Sequence, residues 1–150
     1  MVAVHLTTGI LLLALNLGAG VVGAWAWYRV NPTAVFWPLL RAAQGAVVVQ
    51  ILLGALLLAL GHEAQDGLHI LYGALPLAVI FIAEQLRVSA AETILAARGH
   101  ANAQEVGELP ESEQRIVVLS IVRREMGVMA IACFIVVVLA LRAATTSGGI

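Results

Sequence analysis

Leu6-Thr-Thr-Gly-Ile-Leu-Leu-Leu-Ala-Leu-Asn-Leu-Gly-Ala-Gly-Val-Val-Gly-Ala-Trp-Ala-Trp-Tyr28 decides the fold. These 23 residues carry no charge, and a helix needs about 20 apolar residues to cross a bilayer. Three more apolar runs follow: Ala42–Leu60 of 19 residues, Leu68–Ala83 of 16 and Met126–Leu141 of 16. The last two are short, but arginines at their ends close the gap by snorkelling to the interface. Every peptide group in lipid must be satisfied within the chain, so all of these runs read as helices. No alternating pattern argues for a barrel.

The composition agrees. A length of 150 residues suits one domain. With 61% hydrophobic and 11% charged residues and a mean hydropathy of +0.98, the chain lacks the polar surface of a soluble domain. A net charge of −1 gives no reason to expect a nucleic-acid partner. All eight cationic side chains are arginine. Cys133 stands alone, which excludes an internal disulfide and a multi-cysteine metal site. The first run is longer than a signal core and no A-x-A-like site follows it, so no cleavable signal is expected.

The connections set the topology. Arg29 to Pro38 holds the proline and aromatic residues of an interfacial segment. Gly61 to Gly67 is a short turn, which predicts that the second and third helices are antiparallel neighbours. The third connection, about residues 88–109, contains Ser89-x-x-Glu92. That capping-box spacing predicts a separate short helix through Arg98, ended by Gly99. Pro110 suits a first helical residue, with Glu111 and Glu113 at the positive helix end. The fourth helix is therefore expected to start there, run unbroken to Arg142 and project beyond the membrane before entering it near Met126.

Arg29, Arg41, Arg87, Arg98, Arg115, Arg123 and Arg124 fall on one side of this arrangement, and Arg142 on the other. The positive-inside rule places the Arg-rich side in the cytoplasm and both termini and the His62 turn outside. The expected architecture is all-α: one transmembrane domain over residues 1–150, an antiparallel four-helix bundle of the plasma membrane. Its spans are about 6–28, 42–60, 68–86 and 124–142, with a cytoplasmic loop at about 88–109 and a cytoplasmic extension of the fourth helix.

His5 and His69 open the first and third helices and share a depth near the outer face. At about 100° per residue, His5, Gly9, Leu12, Asn16, Gly20 and Gly23 form one stripe. His69, Gly73, Pro76, Ile80 and Ala83 form another. Both helices read His-x-x-x-Gly. A glycine one turn below a histidine leaves room for a flat ring held edge-on between helices, and neutral imidazoles are suitable axial ligands of haem iron. The same glycines also serve close helix packing, and a histidine at a helix start also serves as an interfacial hydrogen-bonding residue.

His62 is read as solvated or supporting, and His100 as solvated. Asn16, Gln44 and Gln50 are read as interhelical hydrogen-bond partners, with Gln50 also a candidate support for a haem ligand. Glu84 is read as the ion-pair partner of Arg87 rather than a proton relay. Met126, Met129 and Cys133 are read as a packed apolar face rather than a copper(I) site.

Gln50-Ile-Leu-Leu-Gly54, a short outer turn and His69 at the next helix start make Arg41–Tyr72 resemble the haem A synthase family of membrane haem proteins. His5-Leu-x-x-Gly9 before a long apolar helix resembles the preceding helix of that family. The family has two four-helix halves, each with a haem-ligating histidine pair near the outer face. This chain looks like one half, with the likeness covering about residues 5–85. The resemblance implies that His5 and His69 ligate one haem b, with Gly9, Gly73 and Gln50 around it. The family carries an acidic residue three positions before its first histidine, implicated in oxidising a haem methyl group; here that position is Val2. Haem binding therefore carries over more readily than catalysis.

Three functions stand at this stage. The first is a b-type haem protein for electron transfer or haem handling. The second is a half-size haem-modifying enzyme acting as a dimer. The third is a cofactor-free accessory subunit of a larger membrane complex. The expected partners are membrane lipid, a second copy of the chain or a larger respiratory membrane complex. Four helices leave little room for a transport pathway.

Overall fold

The computed structural model describes residues 2–62 and 66–146. The Gly61–Gly67 turn thus lies partly outside the described residues, as do Met1 and the last four positions. Five helices follow in order: α1 Val2–Arg29, α2 Phe36–Ala59, α3 Gly67–Ala97, the short α4 Ala103–Gly107 and α5 Glu111–Thr146. No strand occurs among the described residues. Helices α1, α2, α3 and α5 are each long and apolar enough to cross a membrane.

The fourth long helix runs unbroken for 36 residues from Glu111, about 54 Å at ~1.5 Å per residue. Pro110 sits just before it, and its carbonyl accepts from the backbone N–H groups of Glu113 and Gln114 at 2.9 and 3.0 Å. No proline interrupts the segment, and the first turn carries Glu111 and Glu113 against the positive end of the dipole.

The third helix corrects the expectation of a separate helix at Ser89. Helix α3 continues through both Pro76 and Ser89 to Ala97. An N-cap serine needs non-helical backbone, and nothing between Leu86 and Ala97 supplies it, since no glycine or proline occurs there. The Ser89 hydroxyl instead donates back to the Leu86 carbonyl at 3.3 Å, the usual behaviour of a serine inside a helix. The connection is accordingly shorter than the predicted 88–109 loop. Asp66 is the actual cap of α3, its carboxylate accepting from the Leu68 N–H at 3.0 Å.

Three helices end in the same way. Gly61 has φ 83° and Gly99 φ 79°. The residue after each donates its backbone N–H five positions back into the helix, His62 to Leu57 at 3.1 Å and His100 to Leu95 at 2.9 Å. This is the Schellman arrangement, which favours glycine at the left-handed position. Helix α1 ends with the same bond, Asn31 to Ala26 at 3.1 Å, but Val30 holds the left-handed position at φ 52°. A β-branched residue there is strained.

Helix α5 packs most extensively, against α3 and α1, and α1 also packs on α2. The pairing of α2 with α3 is much slighter, although a short turn joins them. That turn ties only the helix ends, whereas matching surfaces along the helices decide the packing. Small residues make the close approaches. A methyl group on Gly23 would lie 2.4 Å from Phe36, and one on Gly20 would lie 3.0 Å from Phe134. Phe36 is fully buried beside Leu40, Met126, Met129 and Cys133. Large apolar side chains point outward: Leu6, Ile10, Leu52, Phe81, Ile131 and Val138 are each more than 60% exposed. Such an apolar exterior around a small-residue interior suits lipid rather than water.

Candidate functional site

His5 lies in the first turns of α1 and His69 in the first turn of α3. The fold brings their rings together, with centres 6.2 Å apart and planes inclined at 61°. Helices α1 and α3 have no substantial packing of their own, so the two rings meet across the bundle between α2 and α5. Both histidines are half-buried.

Each ring is oriented by a different neighbour. The Nδ1–H of His69 donates to the Ala143 carbonyl near the end of α5, at 2.9 Å. A carbonyl can only accept, so Nδ1 carries a hydrogen, and in the neutral ring Nε2 then keeps its lone pair. His5 is addressed by Gln50 of α2. The Gln50 amide nitrogen lies 3.2 Å from His5 Nε2 and 3.1 Å from the His5 backbone carbonyl. The Thr8 hydroxyl bonds the Gln50 amide oxygen. His5 Nδ1 is buried and has no hydrogen-bond partner among the described residues.

The glycines take roles that the repeated His-x-x-x-Gly spacing does not foretell. Gly9 faces Gln50, whose amide nitrogen would lie 3.1 Å from an added methyl group, whereas a methyl group on Gly73 would meet nothing within 4 Å. Within that distance the two share no neighbour. Gly54 is the glycine beneath the His5 ring: a methyl group added there would lie 3.3 Å from Cε1. Thr8, Gly54 and Ala143 were not identified as site residues from sequence. Only Gly54 left a trace there, as the end of the Gln50–Gly54 motif. Below the histidines, buried Leu12, Val47 and Val136 close the interior.

The remaining histidines stand apart. His62 is exposed beyond α2. His100 lines a cleft with Arg98, Leu109, Glu113, Ile116 and Val117. Asn16 is buried and donates to the Leu12 carbonyl at 2.9 Å, with the Ala43 carbonyl of α2 at 3.5 Å. Met126, Met129 and Cys133 lie within the apolar core.

The opposite end of the bundle carries a charge cluster. Glu84 of α3 accepts from Arg41 at 2.6 Å and Gln44 at 2.8 Å, both of α2. It also accepts from Arg87 at 2.9 Å, the partner expected from sequence. Arg87 approaches Glu125 of α5 at 3.8 Å and lies over the Trp37 ring. Arg123 of α5 lies over the Trp27 ring and donates to the Trp27 carbonyl at 3.3 Å.

The ring separation is that of an ordinary edge contact between aromatic rings, and it is also compatible with one class of metal group. Two imidazoles sharing an iron at about 2 Å each place their ring centres roughly 6 Å apart, which matches the 6.2 Å here. No group of three or more His, Cys, Asp or Glu side chains is placed to hold a metal ion among the described residues. Two imidazoles are too few for a protein-held zinc, but they suffice for haem, whose macrocycle supplies the other nitrogens. Comparison with protein-family models, curated proteins and solved structures gives no match.

Proposed function

We propose that this chain is a membrane-embedded b-type haem protein in which His5 and His69 are the axial ligands of one haem. The observation that carries the reading is the ring separation of 6.2 Å. In support, the Ala143 carbonyl holds His69 in the tautomer with bare Nε2, as neighbours of metal-ligating histidines generally do. Bound between the rings, the haem would supply one-electron exchange. The protein's part is to present two neutral imidazoles, fix their planes and exclude water with the apolar residues beneath them. His62 and His100 do not form a second pair, so one chain holds one haem and serves electron transfer or haem handling at a single depth. The likeness to one half of the haem A synthase family belongs to this reading, as does the antiparallel bundle.

The proposed setting is the plasma membrane, with both termini and the histidine end outside and the Arg-rich end cytoplasmic. Cysteine labelling near each terminus in intact cells should modify both from outside; a protected terminus would invert or re-count the topology. The main test is the absorption spectrum of the purified protein after haem is supplied. Wild type should give the reducible bands of a six-coordinate haem, and His62→Ala should retain them. A colourless, folded wild-type protein would overturn the reading.

One observation favours a second reading, a cofactor-free accessory subunit: the Gln50 amide already satisfies His5 Nε2 without any metal.

A further inference from the structure

We propose that Gln50 is a positioning residue that sets the tautomer of His5, keeping Nε2 bare and occupying it until a metal takes its place. The inference deepens the haem reading and rests on it for the last clause only. The amide orientation follows from chemistry. At 3.1 Å from the His5 carbonyl, only the nitrogen end of the Gln50 amide can make a hydrogen bond, because two carbonyl oxygens repel. The oxygen end is held by Thr8. The amide has two hydrogens. One meets the His5 carbonyl, and the other reaches His5 Nε2 at 3.2 Å.

A donor aimed at Nε2 requires a lone pair there, so the ring hydrogen is forced onto Nδ1. That nitrogen is buried without a partner among the described residues, which is the less comfortable place for it, since an unsatisfied buried donor is destabilising. Among the described residues Nδ1 lacks a partner in either tautomer, so the Gln50 contact is what distinguishes the two. The resulting tautomer is the one needed for ligation through Nε2. It matches His69, whose hydrogen is also on Nδ1. A metal bound at Nε2 about 2 Å away would need the space of the Gln50 amide nitrogen, now 3.2 Å from that atom, so ligation would require the amide to swing aside.

The test is nitrogen NMR of 15N-histidine-labelled protein, purified without haem and assigned with His5→Ala. Wild type should show His5 protonated on Nδ1 and bare at Nε2. Gln50→Glu replaces the donor with an acceptor and should move the hydrogen to Nε2. Gln50→Met, similar in length and unable to donate, should lose the wild-type preference without reversing it. A wild-type His5 protonated on Nε2, or a tautomer indifferent to Gln50→Glu, would overturn the proposal. These readouts need no haem, so they stand even if the haem reading fails. With haem supplied, Gln50→Glu should weaken its binding by roughly ten- to hundredfold, the range for residues that orient a metal-ligating histidine. Unchanged binding would remove the link to ligation and leave the tautomer assignment.

Discussion

The two ends of the bundle handle polar groups in opposite ways. At the arginine end, Glu84 receives three donors and Arg87 has two carboxylates and an aromatic face around it. Helices α2, α3 and α5 are tied there by groups that satisfy one another. At the histidine end, α1, α2, α3 and α5 also converge, but among the described residues His5 Nδ1 is left without a partner and the His69 ring makes its hydrogen bond through Nδ1. A satisfied network acts as a clamp, whereas an incompletely satisfied buried one contributes less to holding the fold. The difference is one of satisfaction: the arginine end is a closed network, and the histidine end leaves one buried nitrogen without a partner among the described residues.

The largest effect expected from breaking this contrast is at the histidines. His5→Ala or His69→Ala should abolish the six-coordinate haem spectrum, while helical content by circular dichroism stays near wild type. Loss of helix together with haem would make the pair a structural clamp as well. Next comes Gly54→Leu, which pushes a side chain into the His5 ring now 3.3 Å from the Cβ position. It should weaken haem binding at least about tenfold by displacing the ligand, measured by haem titration.

At the other end, Glu84→Leu leaves Arg41 and Arg87 without their main acceptor. Loss of a partner from a partly buried charged group is worth about 1–3 kcal/mol, read as a lower unfolding midpoint in detergent. The haem spectrum should not change, and a shift in its bands would show that the two ends are coupled. The smallest expected effect is a gain. Val30→Gly relieves the left-handed strain at φ 52° and should stabilise by about 1 kcal/mol, again with no spectral change.

Much of this contrast was legible in the sequence, for different reasons at each level. The long helices followed from runs of uncharged residues, and the unbroken α5 followed from Pro110 and the lack of any later proline. The meeting of His5 and His69 was foreshadowed by shared depth and face. The Ser89 reading failed because a capping box is recognised by backbone that leaves the helix, and the alanine-rich stretch after Val88 gives no reason to leave. Gln50 on His5, Arg41 on Glu84 and Ala143 on His69 depend on the register between helices. That register is set by contacts such as Phe36 against Gly23, which no periodicity along one helix reveals.

The central claim is that two histidine nitrogens of one chain bind one iron. The most direct measurement is electron–nuclear double resonance on the oxidised, haem-loaded protein with uniformly 15N-labelled histidine and unlabelled haem. The account predicts 15N couplings from two axial nitrogens, reduced to one in His5→Ala and in His69→Ala. A signal from one axial histidine in wild type, or two that survive either substitution, would contradict it.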